Sequence, residues 1–190
     1  EALRKQPETK EYACEVEVWG QQFNISGKLQ INTEQPAQAW QIFFRPGSDL
    51  KGKDWASGWL AHLLANCCHS YNTATFLGSL KAPQALPDFA NTATAPDIMQ
   101  DLVQLYLEYQ NKPFVFSSEA AAAYFKEYRK CKDSYKKTER ALIKAVEALR
   151  PSSFPGAQLP PDPYTQKLWG KEDISEHPDF EDNIRSFWGL

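Results

Sequence analysis

The chain has 190 residues, of which 42% are hydrophobic, with 21 lysines and arginines against 24 aspartates and glutamates. This composition excludes an intrinsically disordered chain, and the length excludes a miniprotein that needs disulfides or a metal for stability. The net charge of −3 excludes a globally basic nucleic-acid binder, and no apolar run reaches the roughly 18 residues of a membrane span.

The first part of the chain predicts a small sheet and one helix. Alternating apolar and polar side chains predict two strands joined by a turn at Gly20, and an apolar run at residues 40–44 predicts a buried central strand. A helix with Asp54 as its N-cap comes before a fourth strand. The four strands are expected at residues 11–18, 23–31, 40–44 and 73–80. The apolar face of the helix is expected to comprise Ala56, Trp59, Leu60, Leu63, Leu64 and Cys67.

The rest of the chain is predicted to be mainly helical after a loop at residues 81–97. The helices are expected at residues 97–109, 119–130, 134–149 and from His177 or Pro178 to Trp188, with Ser117 or Ser118 as the cap of the second. We expect a linker or frayed terminus at residues 1–10 and one domain at residues 11–190. Its parts are a sheet core at 11–80, a helical portion at 97–150, a proline-rich connection at 151–163 and a C-terminal segment at 164–190.

The cysteines predict neither a disulfide framework nor a zinc site. They are Cys14, Cys67, Cys68 and Cys131. No Cys-x-x-Cys spacing occurs, so we expect reduced thiols that pack in the core, as in a cytoplasmic protein. Cys67, Cys68 and His69 are consecutive, and neighbouring helical residues point about 100° apart, which keeps them from sharing one metal ion. His62 is expected to be a buried, hydrogen-bonded imidazole.

Missing motifs and the charge pattern limit the classes of function that this chain can have. No Walker A, Gly-x-Gly-x-x-Gly or Gly-x-Ser-x-Gly pattern occurs, so we expect neither a bound nucleotide nor a serine hydrolase site. A basic stretch at 126–144 and an acidic one at 172–182 predict an electropositive face and a separate acidic face, or else two solvated helix faces. Near the basic stretch, the expected core residues are Phe125 and Tyr128 and the expected surface residues are Tyr124 and Tyr135.

An ordered set of short motifs runs through the chain. Ile25-Ser26-Gly27-Lys28-Leu29 precedes Arg45-Pro46-Gly47, and Trp59-Leu60-Ala61-His62-Leu63 follows in a predicted helix. This set resembles the C-terminal region of RecC, the gamma subunit of exodeoxyribonuclease V. The resemblance extends over residues 11–190 through Leu102 to Tyr106, Lys112-Pro113-Phe114, the alanine-rich helix at 119–128, Asp162-Pro163-Tyr164 and Phe187-Trp188. Because the chain starts at Glu1 rather than Met, we expect a piece of a longer subunit.

The resemblance implies an α/β (α+β) fold, with an inactive PD-(D/E)XK nuclease-like core, a small mixed sheet flanked by helices, and a helical C-terminal portion. The predicted element order agrees with this. An active nuclease of this fold holds Mg²⁺ with an acid on one strand and an acid-x-Lys on the next. Here Lys28 occupies the first acidic position, Phe43 the second and Arg45 that of the lysine. We therefore expect no catalytic residue, metal or other cofactor in this piece.

The resemblance also implies membership of the bacterial, cytoplasmic RecBCD helicase–nuclease, which acts in double-strand-break repair by homologous recombination. We expect a non-catalytic domain that assembles with RecD and RecB and engages a duplex DNA end. The candidate DNA-binding residues are Arg45, Lys51, Lys53, Lys136, Lys137 and Arg140. Two alternatives stay open: an active Mg²⁺-dependent nuclease with relocated carboxylates, and a pure protein-interaction module without DNA contact.

Overall fold

The computed structural model describes residues 8–33, 39–47, 49–80, 83–86, 89–149, 167, 169 and 173–190. These residues form a mixed α/β fold, as predicted. The strands are β1 (Thr9–Val18), β2 (Gln21–Gln30), β3 (Ala39–Phe44), β4 (Thr73–Gly78) and β5 (Gln84–Ala85). The helices are α1 (Gly52–Cys68), α2 (Ala95–Glu108), α3 (Ser118–Lys130), α4 (Lys137–Leu149), a 3-10 helix (Ile174–Glu176) and α5 (Phe180–Trp188).

The chain divides into two compact units. The first comprises Glu1–Leu50 and Asp54–Gln104, and the second comprises Lys51–Lys53 and Leu105–Leu190. The strands named above belong to the first unit, and α3, α4 and α5 belong to the second. Within the described ranges, no helix combines the length and the apolar character that crossing a lipid bilayer would require.

Strands β1 and β2 form an antiparallel hairpin that is paired along its whole length. The turn places Trp19 and Gly20 at φ values of 52° and 75°. Two successive positive φ values are typical of the tight turn that matches the twist of a two-stranded ribbon. Val16, Val18 and Leu29 are buried on one face while the residues between them are exposed, so the predicted alternation is confirmed.

A parallel crossover follows the hairpin. Strand β3 pairs in parallel with β4, and α1 connects these two strands. Strand β5 pairs with β4 in antiparallel orientation. An antiparallel bridge between Asn32 and Trp40 joins the end of the hairpin to β3. Gly58 of α1 lies so close to Leu77 of β4 that a Cβ atom there would clash with the leucine side chain. The order of three strands, a helix and a strand is compatible with a nuclease-like core.

The second unit is built around α3. Ser117 caps this helix, as predicted, because its hydroxyl accepts a hydrogen bond from the Ala120 amide at 3.4 Å. The rings of Phe125 and Trp188 stack with 4.2 Å between their centroids, and Trp188 Nε1 donates to the Ala121 carbonyl at 2.9 Å. The C-terminal helix α5 therefore completes the core around α3.

Some predicted helix faces were wrong. Leu60 of α1 is exposed, whereas Tyr124 of α3 is fully buried. On α1, Trp55 and Asn66 are also buried, although they lie outside the predicted apolar face. The helix is therefore covered over more of its surface than that face. Periodicity gives the repeat of a helix but does not specify how far a neighbouring element wraps around it.

Some predicted boundaries were also wrong. Helix α1 begins at Gly52, so Asp54 lies in its first turn and is not its N-cap. Strand β1 begins at Thr9, inside the predicted frayed terminus, because Thr9 pairs with Gln30. Helix α4 begins at Lys137, after a turn that starts at Ser134. The proline-rich connection predicted at residues 151–163 lies outside the described residues.

Candidate functional site

The end of β3 meets the first turn of α1 at the position of the predicted degenerate nuclease site. Arg45 follows β3, and its Nη1 atom donates to Asp54 Oδ2 at 2.7 Å. The backbone amide of Arg45 donates to the Gly78 carbonyl at 2.9 Å, which fixes the turn beside the end of β4. The guanidinium of Arg45, which was predicted to replace a catalytic lysine, thus forms an ion pair with Asp54 of the same unit.

Lys28 lies on β2, which belongs to the two-stranded sheet of β1 and β2 and not to the sheet of β3, β4 and β5. Its neighbour Gly27 faces α1, since a Cβ atom on Gly27 would lie 3.0 Å from Leu64 Cδ2. Successive side chains of a strand point to opposite faces, so Lys28 points away from α1, and it is exposed. On β3, the same alternation places Phe43 on the face of Gln41, which bonds to α1. The structure therefore does not bring Lys28 together with Phe43 and Arg45.

A buried polar network joins α1 to the sheet behind this turn. Its members are Gln41 of β3, His62 and Asn66 of α1, and Thr73 and Thr75 of β4, each of them buried. Gln41 Nε2 donates to Thr75 Oγ1 at 2.8 Å and to the Ala61 carbonyl at 3.1 Å. The Thr73 amide donates to Asn66 Oδ1 at 2.8 Å, and Asn66 Nδ2 donates to the Thr73 carbonyl at 3.1 Å. These bonds fix the position of α1 across β3 and β4.

The network also includes the imidazole of His62. Its Nδ1 atom lies 2.9 Å from Thr75 Oγ1 and 3.3 Å from Asn66 Nδ2. The predicted buried, hydrogen-bonded histidine is confirmed.

Sequence reasoning found only His62 of this network. The signal for the others was the polar character of inward-facing positions. Gln41 shares one face of β3 with Ala39 and Phe43, and Thr73 and Thr75 share one face of β4. The network contains no carboxylate. Across the part of the chain that the structure describes, no three His, Cys, Asp or Glu side chains are grouped so as to hold a metal ion.

The opposite side of β3 and β4 is an apolar surface, here called the open sheet face. Trp40, Ile42 and Phe44 are 37%, 53% and 62% exposed, although residues 40–44 were predicted to form a buried strand. Ala74 and Phe76 of β4 pair with Trp40 and Ile42 and continue the surface. The prediction of burial was wrong for this face, because the described residues of α1 cover only the other one.

The second unit carries the remaining predicted DNA-binding residues. Lys53, Lys136 and Arg140 are exposed, whereas Lys51 is half-buried. The Lys137 ammonium lies 3.9 Å from the centroid of the Tyr128 ring, a cation–π contact. Lys51 precedes α1 and Lys53 lies in its first turn. Lys136 directly precedes α4, and Lys137 and Arg140 lie in its first turn.

The aromatic residues near these cations are only partly distributed between core and surface as predicted. Tyr135 is 96% exposed and is available for contact, as predicted. Tyr124 was predicted at the surface but is buried, and its hydroxyl donates to Glu181 of α5 at 3.4 Å. Burial raises the pKa of Tyr124 to about 12, so it stays protonated and donates at neutral pH. Phe125 is in the core, as predicted, and Tyr128 is half-buried.

Comparison with known proteins adds one finding. A family model described as the RecC C-terminal domain matches residues 1–129. No curated protein matches the chain. The matched residues extend from the N-terminus almost to the end of α3, and they include the hairpin, the open sheet face and the turn at Arg45. The resemblance predicted from short motifs is confirmed over these residues.

Proposed function

The chain belongs to the RecC C-terminal domain family, and from this premise we propose that it is a non-catalytic assembly and DNA-handling domain of the RecC subunit. The family connects it with RecBCD, the exodeoxyribonuclease V of DNA repair and recombination. In the proposed role, the domain assembles with RecD and RecB in the cytoplasm and helps the complex to engage a duplex DNA end.

The open sheet face is the observation that carries the assembly role. Trp40, Ile42 and Phe44 stand side by side on one strand, and Phe76 continues the patch on the next. A contiguous apolar patch on a folded domain marks an interaction surface, and aromatic side chains dominate the energetics of such interfaces. In RecC this face would bury its aromatic side chains against RecD.

The residues at the nuclease-like positions support a non-catalytic role. Phe43 offers no oxygen ligand, and Arg45 brings a positive charge that is already bonded to Asp54. Mg²⁺ requires several oxygen ligands, at least one or two of them carboxylates in most protein sites. Asp54, in the first turn of α1, forms an ion pair with Arg45. We assign its carboxylate to stabilising the fold and not to binding a metal.

Exposed cations in the second unit support DNA handling. Lys136 and Arg140 are exposed, and Lys137 lies over the Tyr128 ring close to the exposed Tyr135. Such side chains bind phosphates without reading sequence, which suits a protein that must accept any duplex end. Lys51, Lys53 and Arg45 are further candidates for phosphate contact.

The assembly role is tested by capture of RecD and RecB with the tagged 190-residue chain. We expect the wild-type chain to retain RecD and the Ile42→Glu, Phe44→Glu variant to lose it by at least about tenfold, because two charges would be buried in the interface. Ile143→Glu is the matched control, since Ile143 is 51% exposed on α4, which belongs to the second unit. Equal capture of RecD by the double variant and the wild type would refute the assignment of the surface.

The DNA role is tested in the reconstituted complex by titrating a fluorescent duplex end at several salt concentrations. Replacing Lys136, Lys137 and Arg140 by alanine should weaken binding and reduce the salt slope by roughly 2 to 3. A second variant, Arg45→Ala with Lys51→Ala, tests the other candidates. Lys144→Ala is the control, because Lys144 is already paired with Glu147. Unchanged affinity and slope in both variants would favour a pure interaction module.

Catalysis is tested with the isolated chain. We expect no degradation of linear DNA in the presence of Mg²⁺ or Mn²⁺. Degradation that EDTA abolishes would favour the alternative of a nuclease with relocated carboxylates. Persistence of that activity after exchange of Asp54 for asparagine would locate the metal ligands elsewhere.

A further inference from the structure

The hairpin and the sheet of β3, β4 and β5 present their outer faces on the same side of the first unit. Asn32 and Trp40 exchange two backbone hydrogen bonds, of 2.8 Å and 3.1 Å, so their side chains point to one face. Asn32 follows Gln30 by two residues and therefore shares the outer face of β2 with it. Both inner faces are directed to α1, through Gly27 in the hairpin and through Gln41 in β3. The open sheet face thus adjoins the outer face of the hairpin.

The outer face of the hairpin is acidic. The alternation of side chains places three exposed glutamates of β1 on it, here called the acidic strip: Glu11, Glu15 and Glu17. Lys28, which pairs with Glu11, is the single cation that β1 and β2, both fully described, place on this face. Gln22 Nε2 donates across the strands to Glu17 Oε2 at 3.0 Å, which holds this carboxylate on the same face. Three carboxylates against one ammonium leave the surface beside the open sheet face negatively charged.

The open sheet face has a form that a helix can cover. Parallel strand pairs such as β3 and β4 occur mostly in sheets with helices on both faces, and the described residues of α1 cover one face only. On the other face, a Cβ atom at Gly78 would lie 3.2 Å from Phe44 Cδ2 and 4.0 Å from Ile42 Cγ2, so these apolar side chains lie over the glycine. The strand from Trp40 to Phe44 is about 13 Å long, and two turns of a helix measure about 11 Å. Two turns of apolar side chains on a partner helix therefore match this surface in length.

We infer that the partner segment which docks on the open sheet face is a basic amphipathic helix. Its apolar stripe covers Trp40, Ile42 and Phe44, and lysine or arginine side chains on its flank toward the hairpin face the acidic strip. This inference deepens the assembly role proposed above and rests on it, because it takes the open sheet face as an interface. The apolar contact supplies most of the affinity, while the charges orient the helix and speed its association. The same carboxylates disfavour DNA on this face, because they repel phosphates.

The chemistry of the partner is tested with two synthetic peptides and the full 190-residue chain. Both peptides have about 18 residues, enough to form a helix, and the same leucine stripe, and they differ only in carrying lysine or glutamate at the polar positions. We expect the lysine peptide to bind at least about tenfold more tightly at about 50 mM salt, measured by fluorescence anisotropy, and this preference to shrink at about 500 mM. Equal affinity of the two peptides, or binding of neither, would overturn the inference.

Variants of the chain test whether the acidic strip is the source of this preference. Replacing its three glutamates by glutamine should weaken binding of the lysine peptide several-fold, because the opposite charges are lost. The matched control removes three exposed carboxylates elsewhere, by Asp101→Asn, Glu139→Gln and Asp182→Asn. This control changes the net charge by the same amount and should bind the lysine peptide almost as the wild type does. A loss in the control as large as in the acidic-strip variant would assign the preference to net charge and refute the docking surface.

Capture of RecD separates this inference from the proposed assembly role. We expect the acidic-strip variant to retain several-fold less RecD than the wild type, while the Ile42→Glu, Phe44→Glu variant loses it. Full capture by the acidic-strip variant together with loss in the other would refute the basic helix and leave the assembly role intact. Full capture by both variants, with the expected difference between the two peptides, would refute only the choice of RecD as the partner.

Discussion

Arg45 and Asp54 are joined by a hydrogen-bonded ion pair with 2.7 Å between Nη1 and Oδ2, across the connection from β3 to α1. Their side chains are 33% and 23% exposed, so water screens the pair only in part. At this position an active nuclease would present a lysine next to a metal. In this chain the cation instead fixes the start of the helix that covers the sheet.

The first prediction concerns the strength of this pair. A double-mutant cycle with Arg45→Ala and Asp54→Ala should give a coupling energy of about 1 kcal/mol, because the pair is partly buried and well aligned. The measurement is urea denaturation of the two single variants, the double variant and the wild type. The pair Lys144 and Glu147, which is about half exposed on α4, should give a distinctly smaller coupling energy, because water screens it more strongly. Equal coupling in the two pairs would contradict a role in holding α1.

The second prediction concerns the polar network. Thr75→Val keeps the shape of the side chain but removes the hydroxyl that bonds to Gln41 and His62, and we expect it to lower the free energy of unfolding by about 2 kcal/mol. Thr75→Ser retains the hydroxyl and should cost about half as much. Thr33→Val at an exposed position should change stability by less than about 0.5 kcal/mol. A loss in Thr75→Val no larger than in Thr33→Val would show that the network is energetically neutral.

The third prediction concerns the core of the second unit. Trp188→Ala removes the stack on Phe125 and the bond to the Ala121 carbonyl, and should destabilise the chain by about 3–5 kcal/mol. Trp188→Phe keeps a ring in the same place and should cost markedly less. Far-ultraviolet circular dichroism during urea unfolding is the measurement. Trp19→Ala, in the exposed turn of the hairpin, is the control, and a comparable loss there would contradict the central role of Trp188.

The fourth prediction concerns the dependence of stability on pH. Burial lowers the pKa of His69 in the folded chain, and within the described residues its buried Nε2 atom makes no hydrogen bond. The unfolded chain therefore binds a proton near pH 6.5 that the folded chain does not bind, so stability is full above this pH and falls below it. Melting temperatures at about pH 7.5 and about pH 5.5 should differ less in His69→Gln than in the wild type. An identical difference in both proteins would exclude His69 as a source of acid sensitivity.

The hairpin and the caps show what local sequence can predict. The alternation of apolar and polar residues predicted the inward faces of β1 and β2. Gly20 predicted the turn between them, and Ser117 was one of two residues predicted to cap α3. Each of these features depends on neighbouring residues and on backbone geometry. The ordered motifs likewise predicted the family that the comparison confirmed.

The candidate site was harder to predict because its parts come from separate elements. Asp54 has the sequence pattern of a helix cap, and only the approach of Arg45 shows that its carboxylate is used in an ion pair. The position of Lys28 in a motif does not reveal that it lies in a different sheet from Phe43, on a face that points away from α1. Both properties depend on how strands and helix are placed around one another.

The sequence alone predicted most of the described strands and helices, and it showed that the nuclease-like positions carry no paired acids. The tertiary structure alone decided which faces are covered, since burial is a property of two surfaces and periodicity describes only one. The apolar run at residues 40–44 predicted a buried strand. In the structure, the side chains of Trp40, Ile42 and Phe44 are exposed on the open sheet face. In the sequence Cys68 is far from β1, and only the packing of α1 on β1 brings its thiol to the Ala13 carbonyl.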